Sequence, residues 1–137
     1  MHLIDKVQYR SILSEVCESG RGSRGREICG LIVHTGHHLT FVRTRNVCRR
    51  AGSFVLSVPD VRRMVAAAKV LGQDVVGTFH SHPLGLAEPG PSDIENAVDD
   101  SLMFIFDCLG RRGCLWRIKS GKARSLEFHF VKANHDT

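Results

Sequence analysis

The chain has 137 residues, 42% of them hydrophobic and 24% charged, with a formal net charge of +5. That length suits one domain, 1–137, around a single core, and the composition is that of an ordinary globular protein rather than a disordered or collagenous one. The longest apolar runs fall well short of the ~20 residues that a membrane helix needs, which excludes a helical membrane span.

Apolar residues at Tyr9, Ile12, Leu13 and Val16 predict a helix over Asp5 to Ser19, with Asp5 and Gln8 as a capping box. No apolar leader core stands between Met1 and Ser19. The five cysteines, Cys17, Cys29, Cys48, Cys108 and Cys114, form neither a CxxC pair nor an even disulfide framework. Both features lead to the expectation of a cytoplasmic protein with reduced thiols. Gly20 to Gly25 reads as a flexible loop. Glu27 to Thr35 reads as a buried strand with Glu27 at its mouth, and Gly36-His37-His38 turns it into a second strand, Leu39 to Arg45. His37, His38 and Cys48 have the donor types for a second zinc, but their spacing does not argue for one, and two exposed turn histidines are the simpler reading.

Ser53 to Ser57 reads as a third short strand. Ser57, with Asp60 three residues on, starts a helix whose stripe of Val61, Met64, Val65, Ala68 and Leu71 is predicted to pack into the core; Gly72 ends it. A buried strand, Val75 to His82, follows. After a Pro/Gly-rich loop comes a helix from about Pro91 to Asp100, with Ile94, Ala97 and Val98 inward. Strands Leu102 to Cys108, Cys114 to Ile118 and Ser125 to Val131 complete a sheet, joined by turns at 110–113 and 120–122. The tail after Val131 is polar and expected to fray. The order of elements fits a mixed β-sheet packed with helices, not a doubly wound nucleotide fold. Arginines cluster at 21–26, 43–50, 62–63 and 111–112 without the aromatic interleaving of a nucleic-acid platform. They read as solvated faces or as a lure for an acidic partner surface, with neither nucleic acid nor membrane as partner.

Chemistry concentrates where the strand Val75 to His82 ends. Alternation puts Val76, Thr78, His80 and His82 on one face and Ser81 on the other, so two imidazoles leave the strand side by side. Pro83 cannot donate to a sheet ladder and is expected to end the pairing. Eleven residues past His82 lies Asp93, in a turn that reads as a helix start. Two histidines and a carboxylate are a common ligand set for catalytic zinc, with a fourth position left to water. A lone His-x-His is weak, since many such pairs are only polar strand ends; the Asp at a helix start strengthens it. Two helix registers are open. With Gly90 as N-cap and Pro91 first, Asp93 is the third helical residue; with Ser92 as cap, Asp93 is the first. The former keeps the ligand spacing and is preferred.

At these residues the chain resembles the JAMM/MPN+ metalloprotease family. That family's pattern is a Glu on an early strand, His-x-His-Pro, a loop of fixed length, a Ser, and an Asp three residues after the Ser. Glu27 fits the first part, and His80, His82 and Asp93 fit the metal ligands. One position departs: the family's Ser falls on Gly90, and the nearest hydroxyl is that of Ser92. The likeness runs from 27 to 107. It implies the MPN fold, an α/β (α+β) architecture related to the cytidine deaminases, with Zn2+ as cofactor. It also implies a deubiquitinase-like peptidase or isopeptidase in which zinc lowers the pKa of a water from 15.7 towards ~7. Glu27 would take that water's proton as general base. Ser92, a backbone N–H or the metal would replace the missing oxyanion donor, whose loss costs about 10²–10³ in rate.

The substrate implied by the resemblance is the C-terminal tail of a ubiquitin-like or sulfur-carrier protein, or its conjugate, with activating or conjugating proteins as associates. Cys108 to Cys114 is a bare turn without room for the ubiquitin-gripping insertions of eukaryotic members, so compact prokaryotic members are the better likeness. Two rival readings exist. A silent MPN scaffold usually lacks the ligands that this chain keeps, and a zinc deaminase would carry a Pro-Cys-x-x-Cys element that is missing here.

Overall fold

The computed structural model describes residues 2–22, 27–48, 54–82 and 86–132. In chain order these form β1 (His2–Asp5), α1 (Lys6–Gly22), β2 (Cys29–His34), β3 (Leu39–Thr44), α2 (Val58–Val70) and β4 (Asp74–His82). Then come α3 (Pro91–Asn96), β5 (Ser101–Asp107), β6 (Arg112–Lys119), β7 (Lys122–Leu126) and β8 (Phe128–Val131). All eight strands join one mixed sheet in the order β7-β6-β5-β4-β2-β3-β1-β8.

β4 lies at the centre of this sheet because its apolar run can be covered from both sides. It pairs antiparallel with β2 and parallel with β5, Gly77–His82 running beside Leu102–Asp107. At Gly77 the two strands approach so closely that a Cβ would overlap the Leu102 backbone. α1 covers one face, where Ile12 and Val16 pack over Ile32, Phe41, Phe79 and Phe104. The rings there meet edge to face, with Phe41–Phe79 and Phe41–Phe104 centroids 5.2 and 5.0 Å apart. The opposite face has a smaller core of Met103, Ile105, Ile118 and Ala87, against which Ile94, Ala97 and Trp116 pack.

The structure corrects several expectations. β1 escapes notice in the sequence because it is only four residues long and runs directly into α1. The Asp5–Gln8 capping box does not form: Asp5 Oδ1 accepts from Val7 N, while the Gln8 amide makes two bonds, 2.7 and 2.8 Å, to the Phe41 backbone. Tertiary pairing outcompetes the local cap. The helix runs on through Gly22, into the expected loop. Of the third strand only an isolated bridge, Asn46–Leu56, is present among the described residues. The α2 stripe is not core as a whole: Ala68 is buried, whereas Val65 and Leu71 are exposed, because α2 meets the sheet mainly at β3 and β4 and a groove of about 1170 Å³ runs beside it. α3 stops at Asn96, and Val98 is exposed. The last predicted strand divides at Glu127: β7 pairs with β6, while β8 pairs parallel with β1 at the other end of the strand order. The strand-ending role of Pro83 and the tail beyond Lys132 lie outside the described residues, as does Ser53. No helix among the described residues is long and apolar enough to cross a membrane, and no disulfide joins the five cysteines.

Candidate metal centre

The strand end and the helix start meet. His80 and His82 share the face of β4 that alternation assigns them, and α3 begins with Gly90 as N-cap, Pro91 first and Asp93 third. The preferred register is therefore the one present. Asp93 Oδ2 accepts a 2.8 Å bond from Gly90 N, which aims its carboxylate back towards β4.

Three donor atoms converge. The Nε2 atoms of His80 and His82 are 3.0 Å apart, and Asp93 Oδ2 lies 3.4 Å from the first and 3.6 Å from the second. Ligands each ~2.0–2.1 Å from a tetrahedral zinc stand about 3.3 Å from one another, so the trio has the spacing of one face of such a site. Among the described residues no other His, Cys, Asp and Glu side chains form such a group, and His37, His38 and Cys48 do not come together.

The surroundings suit metal binding. His82 Nδ1 sits 2.7 Å from the Leu86 carbonyl; donating its proton there leaves the Nε2 lone pair facing Asp93 and His80. His80 is fully buried, and Phe54 stacks on its ring with centroids 4.4 Å apart and planes at 21°. Burial lowers the His80 pKa, although Asp93 opposes this, and so favours the neutral ring that a metal requires. Its Nδ1 is buried without a hydrogen-bond partner among the described residues. The contact with Asp93 raises the His82 pKa, which burial opposes. Burial also works against ionisation of Asp93, but its contacts with His80 and His82 outweigh it and hold the carboxyl well below the usual range.

Glu27 reaches this site through the β2–β4 pairing. Cys29 stands opposite His80, Ser81 N donates to Ile28 O at 2.9 Å, and Ser81 Oγ accepts from Ile28 N at 2.8 Å. Continuing that antiparallel register sets Glu27 against His82 on the same face. Glu27 is 6% exposed. Burial pushes its carboxyl up to about 7, with His82 opposing and Asp93 reinforcing the rise. Ser92 is exposed on the first turn of α3, where it lines the large groove together with Asp93. Sequence reasoning missed Phe54 and Asn46, which contact His80 and Glu27 respectively; neither carries a local signal, since each matters only through a partner distant in the chain.

The model of prokaryotic homologues of the JAB domain matches residues 10–119. The chain belongs to this prokaryotic JAB family. As a JAB domain it resembles a solution structure from Desulfitobacterium hafniense, with a TM-score of 0.81 and 18% identity over 98% of this chain and 96% of that one. A JAB1/MPN domain protein from Archaeoglobus fulgidus superposes with a TM-score of 0.53 at 16% identity, over 96% and 99% of the two chains. A structure described as a metalloprotease-like zinc site in the proteasome and signalosome gives 0.52 at 14% identity, over 96% and 97%. At these identities the likeness establishes a shared fold. No curated protein matches the JAB domain described here.

Proposed function

We propose that this JAB domain is a zinc-dependent peptidase or isopeptidase that cleaves at the C-terminal tail of a ubiquitin-like or sulfur-carrier protein. The observation that carries the reading is the convergence of His80, His82 and Asp93, with Glu27 just ahead of the neighbouring strand β2. A zinc ion held there would supply an acidified water and a Lewis acid for the scissile carbonyl. Glu27, whose carboxyl burial raises towards neutrality, would serve as the base that takes a proton from that water and returns it to the leaving amine. Ser92, exposed on the first turn of α3, would offer a hydroxyl to the oxyanion. The groove that Ser92 and Asp93 line continues over Phe54, Leu56, Val61 and Met103, an apolar trough suited to an extended tail. A ubiquitin-like substrate brings activating or conjugating enzymes as associates, and a cytoplasmic setting.

A second reading, a catalytically silent scaffold, draws on Gly90 standing where the metalloprotease pattern has a Ser. One experiment separates the two. Protein loaded with zinc should hold about one equivalent per chain and His82→Ala should lose it. Glu27→Gln should keep the metal and the fold yet lose turnover of a ubiquitin-like fusion with a cleavable C-terminal tail. Zinc retained in His82→Ala would sink the metal assignment, and full activity in Glu27→Gln would move the base elsewhere.

A further inference from the structure

Glu27 precedes β2 by two residues, so the sheet ladder does not fix it directly. What holds its backbone is a side chain from the end of the neighbouring hairpin arm. Asn46 Nδ2 donates to the Glu27 carbonyl at 2.9 Å. On the other side of the same amide, Asn46 Oδ1 accepts from Cys48 N at 3.0 Å and from Val55 N at 3.1 Å. Both partners of the oxygen are N–H groups and the partner of the nitrogen is a carbonyl, so the amide has one sensible orientation. Val55 adjoins Phe54, whose ring stacks on His80. The backbone bridge Asn46–Leu56 and the 2.9 Å bond from Val47 N to Val55 O brace the same segment. One half-buried amide thus touches the residue proposed as base, just ahead of β2, and the segment that covers a metal ligand.

We propose that Asn46 is a positioning residue, its amide setting the Glu27 carboxylate in register with His80 and His82 while anchoring Phe54 over His80. This rests on the reading of Glu27 as the base. A general base works only with its oxygen within about 2.6–3.2 Å of the atom whose proton it takes, and among the described residues the main chain beside the site is held from two sides: Ser81 grips Ile28 from the β4 side, and Asn46 grips the Glu27 carbonyl from the β3 side. Without the second tie the chain before β2 can swing about the first. The ligands themselves, on β4 and α3, would stay in place.

The test uses the full chain loaded with cobalt(II), whose visible absorption reports the ligand set, and a ubiquitin-like fusion with a cleavable tail. Asn46→Asp keeps the two acceptor bonds and sets an oxygen against the Glu27 carbonyl; Asn46→Ala removes these three bonds and controls for the added charge. Both variants should bind about one cobalt per chain with the wild-type spectrum. Their KM should stay within about 2-fold of wild type while kcat falls about 10- to 100-fold, as a base displaced by an ångström predicts. An unchanged kcat in both variants overturns the proposal. So does a fall in kcat that merely tracks lost cobalt or lost folded protein in Asn46→Asp, which would make the residue structural only. Wild-type protein that takes up cobalt and turns nothing over would sink the reading of Glu27 as base, and the role of Asn46 with it.

Discussion

At Gly90 the backbone has φ −80° and ψ 170°, an extended conformation open to any residue. A Cβ built there meets only Asp93 Oδ2, at an ordinary 3.6 Å. Gly90→Ser should therefore fold without strain and keep the bond from residue 90 to Asp93. If the site lacks an oxyanion donor, the new hydroxyl should raise kcat by about 10-fold or more, since such donors are worth about 10²–10³. Ser92→Ala should lower kcat at nearly constant KM, because a bond to the oxyanion strengthens only in the transition state. Steady-state kinetics on both variants with zinc content matched decides the matter: an unchanged kcat in Ser92→Ala leaves the oxyanion to the metal and backbone.

The start of α2 shows how one element is tied to the sheet. Ser57 caps the helix, its Oγ accepting from Asp60 N at 3.4 Å. Asp60 in turn accepts from Arg45 N at 2.8 Å and from the Arg45 guanidinium, and pairs with Arg63. Asp60 is only 4% exposed, yet what covers it is two arginines that are themselves mostly exposed. The side-chain bond from Arg45 leads in holding its carboxyl down, at about 2 against an ordinary 3.8. A folded-state pKa below the unfolded one adds stability above pH ~4, and that stability is lost as pH falls towards 2. Asp60→Asn should thus be less stable than wild type at pH 7, and the gap should close between pH 4 and 2 in urea titrations. A gap that persists at pH 2 would trace the loss to something other than this charge. Ser57→Ala should cost about 1 kcal/mol at any pH.

For the whole molecule the decisive contact is β4 against β5. Gly77→Ala drives a methyl group into the Leu102 backbone, and backbone cannot give way as a flexible side chain would. A loss of about 1–3 kcal/mol or more is expected, read as a lower urea midpoint with unchanged m. Because β4 also carries His80 and His82, zinc affinity should weaken in the same variant. Unaltered stability would show that the two strands can part at Gly77. Phe104→Ala, in the centre of the aromatic cluster beneath α1, should cost about 3–5 kcal/mol and leave zinc stoichiometry intact.

The sequence alone determined what depends on neighbours within a few residues. Alternation along β4 put His80 and His82 on one face, and helix-start chemistry made Asp93 the third residue of α3. Only the tertiary structure decided the rest. Glu27 comes beside His82 through β2–β4 register, β8 leaves β7 for β1 at the opposite edge, and Gln8 abandons a local cap for the Phe41 backbone. α2 has a fair apolar stripe, but how much of it is buried depends on how far the helix settles onto β3 and β4. The division has a physical cause: side-chain periodicity and capping are set by local backbone geometry, whereas the choice of strand partner and the depth of packing are set by contacts between segments tens of residues apart.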